Sequence, residues 1–261
     1  MIIHSSIEPL YFLLPVIGFI VGLFGTMLGG GGGFFFFPVL TLLIGTTPQT
    51  AVITSLVATI PICLIGSIGH YTQKNIQGRS AILFSAAGIP GAFAGTAITA
   101  AISENMLKDL FGIYSCILGL NLAFSTWKKN RKKADQQAVQ RLHKIRGIIF
   151  GFLGGTITGT FGTSGTAPVL AGLFSMDIPL KQVIGTSLVI ILVNTIFATG
   201  AHFLLGRIDL TLVLFLTGGS AIGAALGPRL LSGTKTDHSE NKIKYSYALV
   251  MVIIGLIMMN K

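Results

Sequence analysis

Apolar segments long enough to cross a lipid bilayer recur along the whole chain, and this pattern constrains the fold more than any other feature. A membrane-spanning helix needs roughly 17–25 mainly apolar residues. Only 10% of the 261 residues are charged, against about 25% in soluble domains. The sequence therefore predicts an all-α integral membrane protein. Segments of sufficient length occupy residues 10–28, 50–70, 79–101, 106–127, 146–162, 183–204, 208–231 and 243–260.

Two further apolar segments, at residues 34–45 and 166–175, are too short to span a bilayer. Each follows a glycine-rich stretch and carries a proline, Pro38 or Pro168. Proline is tolerated in the first turn of a helix because the backbone N–H that it lacks has no helical partner there. The sequence therefore predicts two half-helices, each folding back as a hairpin on the spanning helix before it.

The chain contains an internal repeat. Residues 47–71 align with residues 179–203 at an offset of 132, so that Thr54-Ser55-Leu56 matches Thr186-Ser187-Leu188 and His70 matches His202. Upstream, residues 29–40 align with residues 159–170 at an offset of 130. The repeat predicts two membrane units, at residues 1–128 and 146–261, joined by a basic, solvated linker at residues 129–145. Each unit has about three full spans and one glycine-broken helix/half-helix hairpin.

The distribution of positive charge predicts the orientation of the chain. With the linker in the cytoplasm, 15 of the 18 lysine and arginine residues lie on the cytoplasmic side. Both termini are then extracytoplasmic, and each unit crosses the membrane an odd number of times. The two units are therefore inverted repeats. Broken helices at matching positions of inverted repeats are the sequence indication of a transporter's binding site.

The five consecutive glycines at Gly29–Gly33 are more than a helix-packing face requires. The run has no P-loop lysine, so the pattern does not favour a nucleotide site. Irregular backbone at membrane depth occurs only where it is buried in protein or lines a cavity. Two half-helix N-termini converging from opposite sides would form an anion site, since helix N-termini attract negative charge. The candidate substrate-binding residues are Gly30, Gly31, Gly32, Gly33, Thr54, Ser55, Gly162, Thr163, Ser164, Gly165, Thr166, Thr186 and Ser187.

Other glycines have helical spacing. Gly18, Gly22, Gly25 and Gly29 form one set, and Gly147, Gly151, Gly155 and Gly159 form another. Such faces are typical of close helix–helix packing in membranes.

The histidines at the ends of matching spans, His70 and His202, leave two interpretations open. They are either interfacial residues or groups that handle protons or substrate.

Other functional classes find little support in the sequence. The net charge of +10 lies in short loops between spans, which favours topology over nucleic-acid binding. The chain has no HExxH motif and no mid-span carboxylate, so we expect no metal site, no catalytic residues and no cofactor. The expected partners are a small anion and the lipid bilayer, and self-association stays open. The alternative functions are an intramembrane enzyme and a membrane subunit that docks a partner through the loop at residues 128–146.

Both units resemble the sulfite exporter TauE/SafE family of membrane permeases. The resemblance covers nearly the whole chain. It implies transport of small sulfur-containing anions, such as sulfite, thiosulfate, sulfonates or sulfoacetate, across the bacterial inner membrane. The stretches that carry it are GLFGTMLGGGGGFFFFPVL (22–40), VITSL (52–56), GTFGTSGTAPVL (159–170), VIGTSLV (183–189) and GAHFLLGRID (200–209).

Overall fold

The computed structural model describes residues 2–127, 136–176, 178–203, 208–233 and 240–260, and helices dominate these residues. One short parallel strand pair joins β1 (Ile2–Ile3) to β2 (Ile208–Asp209). The helices are α1 (Leu14–Met27, preceded by a 3₁₀ turn at Pro9–Leu13), α2 (Gly33–Pro38, continued by a π turn at Val39–Leu43), α3 (Pro48–Thr72), α4 (Gly78–Ala101), α5 (Glu104–Trp127), α6 (Gln136–Phe161), α7 (Thr166–Phe174), α8 (Leu180–Phe203), α9 (Leu210–Gly233) and α10 (Glu240–Met259).

The all-α membrane fold predicted from the sequence is confirmed. Within the described residues, five helical segments are long and apolar enough to cross a membrane. The other predicted spans correspond to helices α5, α6 and α10, which have 24, 26 and 20 residues. The spanning segments are Pro9–Met27, Pro48–Thr72, Gly78–Ala101, Leu180–Phe203 and Leu210–Leu230.

Helices α1–α5 and α6–α10 follow the same order: a long helix, a break, a short helix and three long helices. Their packing follows the same repeat. Helix α1 packs on α9 as α6 packs on α4, whereas α3 packs on its own counterpart α8 and α5 on α10. Exchanging the two halves therefore reproduces the main helix contacts. The inversion of the halves relative to a bilayer stays a prediction.

The helical glycine faces pack as predicted. Any side chain at Gly22 would collide with the Ser220 carbonyl of α9, and one at Gly155 would collide with the Gly88 carbonyl of α4. These contacts bring backbones together, as small residues do in membrane helices. Gly29 is an exception, because α1 ends at Met27 and Gly29 lies beyond it with φ +73°.

Helix directions follow from these contacts. Along α6, Gly151 and Gly159 face Phe84 and Ala92 of α4, so α6 and α4 run parallel. Helix α7 folds back on α6, since Gly172 faces Phe150.

Two sequence-based expectations about helix boundaries are wrong. Pro168 is the third residue of α7, as expected, but Pro38 is the sixth residue of α2. A proline at that position removes a helical hydrogen bond, and the backbone continues as the wide turn at Val39–Leu43. Helix α6 begins at Gln136, inside the predicted solvated linker. The sequence QQAVQRLHKIR is rich in helix-forming residues, which accounts for the extension. Residues 129–135 of that linker lie outside the described residues.

Loops that the charge distribution assigns to one side lie together in the structure. The strand pair puts the N-terminal residues beside the chain entering α9. At the other end of the bundle, the Gln73 side-chain amide donates to the Pro228 carbonyl near the end of α9, at 3.1 Å.

Candidate anion site at the two helix breaks

The two breaks share a pair of left-handed glycines three residues apart, and the first break has a further one, Gly31, with φ +60°. Gly29 and Gly32 have φ angles of +73° and +76°, and Gly162 and Gly165 have φ angles of +65° and +42°. This left-handed region is open to glycine without steric cost. Gly32 precedes the first residue of α2, and Gly165 precedes the first residue of α7. The breaks therefore correspond at an offset of 133, rather than the 130 taken from the sequence.

The structure brings the two breaks into contact. The Thr166 hydroxyl donates to the Gly30 carbonyl at 3.0 Å, and Ser164 Oγ lies 2.8 Å from Thr166 Oγ1. A Cβ on Gly33 would lie 3.2 Å from the Ser164 backbone nitrogen. Gly29–Gly33 and Gly162–Gly165 are all buried. The first residues of α2 and α7 therefore meet inside the protein.

Several backbone N–H groups at these helix starts have no acceptor. Among the described residues, no oxygen accepts from the N–H groups of Gly33 and Phe34, nor from those of Ser164, Thr166 and Ala167. The first N–H groups of a helix lack intrahelical partners and carry the positive end of its dipole. No lysine, arginine, aspartate or glutamate occurs within residues 9–73 or 147–176. The arrangement can therefore hold negative charge through dipoles and hydrogen bonds.

Each break packs against a long helix of the other half: the first break against α8 and the second against α3. The Ser187 hydroxyl of α8 donates to the Gly29 carbonyl at 2.7 Å. Gly162 packs on the backbone of Val52 in α3. Ser55, which corresponds to Ser187, has a buried Oγ without a hydrogen-bond partner in the described residues. The first break also contacts its own half, since Gly31 faces the Cys63 thiol of α3.

Thr54 and Thr186 each accept a hydrogen bond from a loop. The Gln77 N–H donates to Thr186 Oγ1 at 2.8 Å, and the Asp209 N–H donates to Thr54 Oγ1 at 3.4 Å. Gln77 and Asp209 are also 132 residues apart. We call these contacts the Gln77 latch and the Asp209 latch.

Both latches are anchored by the helix that follows. The Gln77 side chain accepts from the Ser80 N–H at 2.7 Å, at the start of α4. The Asp209 carboxylate accepts from the N–H groups of Thr211 and Leu212, at 3.0 and 3.3 Å, at the start of α9. The Gln77 latch therefore joins the start of α4 to α8, and the Asp209 latch joins the start of α9 to α3.

The paired histidines hold the helices that lead into the breaks. Nε2 of His70 lies 3.3 Å from the Thr26 carbonyl, and Nε2 of His202 bonds the Gly159 carbonyl at 2.6 Å. A carbonyl oxygen only accepts, so Nε2 carries the hydrogen in both rings. Thr26 and Gly159 belong to the last turns of α1 and α6, where carbonyls lack helical partners.

Sequence reasoning missed Asn194 of α8. The side chain is fully buried, and neither its oxygen nor its nitrogen has a hydrogen-bond partner in the described residues. Its signal in the sequence is that it is the one carboxamide within the apolar segment at residues 183–204.

Comparisons with known proteins agree over most of the chain. A family model described as Sulfite exporter TauE/SafE matches residues 14–258. The chain is 24% identical over 265 residues to the probable membrane transporter protein YunE of Bacillus subtilis, covering 94% of this chain and 96% of that protein. It is 26% identical over 243 residues to a probable membrane transporter protein of Xylella fastidiosa, covering 92% and 90%. No solved structure matches the chain.

Proposed function

The chain belongs to the sulfite exporter TauE/SafE family, and we propose that it is a secondary transporter of small sulfur-containing anions of the sulfite, thiosulfate, sulfonate or sulfoacetate class. The observation that carries the proposal is the buried meeting of two half-helix starts with unpaired N–H groups. The substrate class comes from the family description, and the relatives are named only as probable membrane transporters.

The anion binds between the two breaks. The N–H groups of Gly33 and Phe34 approach it from α2, and the N–H and hydroxyl groups of Ser164 and Thr166 approach it from α7. The buried Thr163 hydroxyl, which has no partner in the described residues, supplies a further donor. A hydrogen bond to a charged group contributes about 1.5–3 kcal/mol, so a few such donors hold a partly dehydrated oxyanion without a salt bridge.

Glycine at position 33 is needed for this approach. A Cβ there would lie 2.7 Å from Thr59 Oγ1 and 3.2 Å from the Ser164 nitrogen. A side chain would therefore separate the two breaks and fill the space in which the anion meets the amides. His70, His202 and Ser187 act as positioning residues, because each bonds a carbonyl in or next to a break.

Transport proceeds by alternating access between inverted halves. The Gln77 and Asp209 latches lie at opposite ends of the bundle and tie equivalent parts of the two halves together. Releasing one latch while the other stays closed opens the breaks to one side only. The corresponding contacts of the two halves support this symmetry.

The protein resides in the bacterial cell membrane with the linker in the cytoplasm and both termini outside. The supporting observation is the charge asymmetry of the loops. A reporter fused at residue 261 should score as extracytoplasmic and one within residues 130–140 as cytoplasmic. Reporters that place both ends of the second half on one side would contradict the inverted arrangement.

Uptake into proteoliposomes tests the proposed activity. Radiolabelled sulfite, thiosulfate and a sulfonate are offered to vesicles that contain the purified protein, with empty vesicles as the control. We expect saturable uptake of at least one of them, reduced in Gly33→Val. The absence of both uptake and binding for all three anions would refute the substrate class.

A further inference from the structure

Asn194 is a buried polar group that the fold leaves unpaired. It is the fifteenth of the 24 residues of α8, near the middle of a spanning helix, and is 0% exposed. Neither Oδ1 nor Nδ2 has a partner in the described residues. Polar side chains at membrane depth are costly and tend to mark substrate pathways.

The packing around Asn194 does not require a carboxamide. A Cβ on Gly88 would lie 2.8 Å from Asn194 Cγ, so α4 leaves room for the amide. The position corresponding to Asn194 in the first half is Ile62, and that of Gly88 is Ser220. Ile62 is likewise fully buried. The same helix junction is therefore built with an apolar residue in one half and an amide in the other.

Asn194 lies at the level of the second break. Ile190, one turn earlier in α8, belongs to the same buried cluster as Val169 of α7. Helix α8 runs parallel to α4, since Gly88 faces Asn194 and Phe93 pairs with Phe197. Helix α7 folds back against α6, which is parallel to α4, and so runs opposite to α8. The next turn along α8 is therefore level with the turn of α7 that contains the Gly165–Thr166 helix start.

Neighbouring hydroxyls add to this polar region. Thr195 follows Asn194 in α8, and its Oγ1 is buried without a partner in the described residues, as is that of Thr163 in the break. A carboxamide offers two N–H donors and one accepting oxygen, and a hydroxyl can donate or accept. The donors suit an oxyanion, but Oδ1 needs a donor from the ligand. An oxyanion with acceptors alone would leave that oxygen unpaired, which is unfavourable in a buried site.

We propose that Asn194 contacts the substrate and sets specificity for an oxyanion that also carries a hydrogen-bond donor. Such a ligand is a hydroxylated alkanesulfonate or the protonated form of sulfite. This inference rests on the proposed function, because it assigns specificity within the same anion site.

Two sulfonates that differ by one hydroxyl test the inference. The purified protein is titrated with 2-hydroxyethanesulfonate and with ethanesulfonate, and the thermal midpoint is measured separately as a folding control. We expect about tenfold tighter binding of the hydroxylated anion, equivalent to about 1.4 kcal/mol. Asn194→Leu should remove this preference, because it weakens binding of the hydroxylated anion more than binding of ethanesulfonate. Thr199→Val, five residues further along α8, is the matched control and should keep it.

Sulfite provides the second arm. Titration at pH values on both sides of its second ionisation should show that the parent protein prefers the protonated form and that Asn194→Leu does not. If this variant does not fold, Asn194→Gln, which keeps the amide but displaces it by one methylene, must alter the same preferences. If only the sulfonate pair shows a preference, the donor is the hydroxyl group of the ligand. If only sulfite shows one, the donor is the acidic proton of the ligand.

The remaining outcomes separate the two proposals. Equal binding of both sulfonates and of both sulfite forms by the parent would overturn the role of Asn194, as would an unchanged preference in the folded variants. The anion-transport proposal would survive either result. Absence of binding for every anion in the panel would overturn the proposed substrate class and this inference with it.

Discussion

Replacing Ser164 with alanine removes one hydroxyl from the contact between the two breaks. Thr166 Oγ1 donates to the Gly30 carbonyl at 3.0 Å, so in the 2.8 Å contact with Ser164 Oγ the serine is the donor. When an anion binds between the breaks, the serine hydroxyl turns from Thr166 to the anion. The substitution therefore removes a bond to the charged ligand, and it also removes the neutral bond that binding would break.

The expected loss is the difference between these two bonds. A hydrogen bond to a charged group contributes about 1.5–3 kcal/mol and a neutral one about 0.5–1.5 kcal/mol. The difference is about 1 kcal/mol, which corresponds to a five- to tenfold increase in Kd. The structure should change little, because alanine fits wherever serine does.

Isothermal titration of the purified variant with sulfite, thiosulfate and a sulfonate measures this loss. Ser175→Ala is the matched control, because its hydroxyl donates to the Gly172 carbonyl at 2.7 Å, at the far end of α7. We expect the parent Kd for Ser175→Ala and the five- to tenfold increase for Ser164→Ala. Parent affinity in a folded Ser164→Ala protein would refute direct contact between this hydroxyl and the anion.

The remaining predictions concern packing, gating and the helix ends. Gly22→Leu should lower the yield of folded protein in the membrane and its thermal midpoint, because a side chain there meets the α9 backbone; Gly218→Leu, at a position with open space, is the control, and equal stability of the two variants would exclude a packing role. Thr186→Val should release the Gln77 latch and increase maleimide labelling of a cysteine at position 164 from the side of the membrane on which Gln77 lies, whereas Thr186→Ser should not; unchanged labelling would exclude the latch as a gate. His202→Ala should reduce the free energy of unfolding by about 0.5–1.5 kcal/mol, because it removes the 2.6 Å bond to the buried Gly159 carbonyl and leaves that oxygen only the Thr99 hydroxyl at 3.3 Å; chemical denaturation in detergent measures it, and parent stability would contradict the capping role.

Particular residues show how far the sequence predicts this structure. Apolar length predicts spanning helices such as α3 (Pro48–Thr72) and α8 (Leu180–Phe203) to within three residues, since bilayer thickness determines that length. The starts of the half-helices, Gly33 and Thr166, are also within a residue of the expected ones. The sequence-based offset between the two breaks is wrong by three residues. The sequence aligns Pro38 with Pro168 at an offset of 130, whereas the left-handed glycines of the two breaks correspond at an offset of 133.

The sequence does not predict which tertiary contacts its residues make. The matching threonines at positions 54 and 186 indicated equivalent roles but not that each accepts from a loop of the other half. Asn194 was missed for the same reason. Its significance depends on the absence of a partner, which only the packing of α4 against α8 reveals.

The most direct test of the account is access to position 164 from both sides of the membrane. In a protein with Cys63 and Cys116 replaced and Ser164→Cys introduced, a membrane-impermeant maleimide is applied to right-side-out and inside-out vesicles, with and without a saturating sulfonate. Alternating access to an anion site at the breaks predicts labelling from both sides and protection by the sulfonate in both preparations. Labelling from one side only, or labelling that the anion does not slow, would contradict the account.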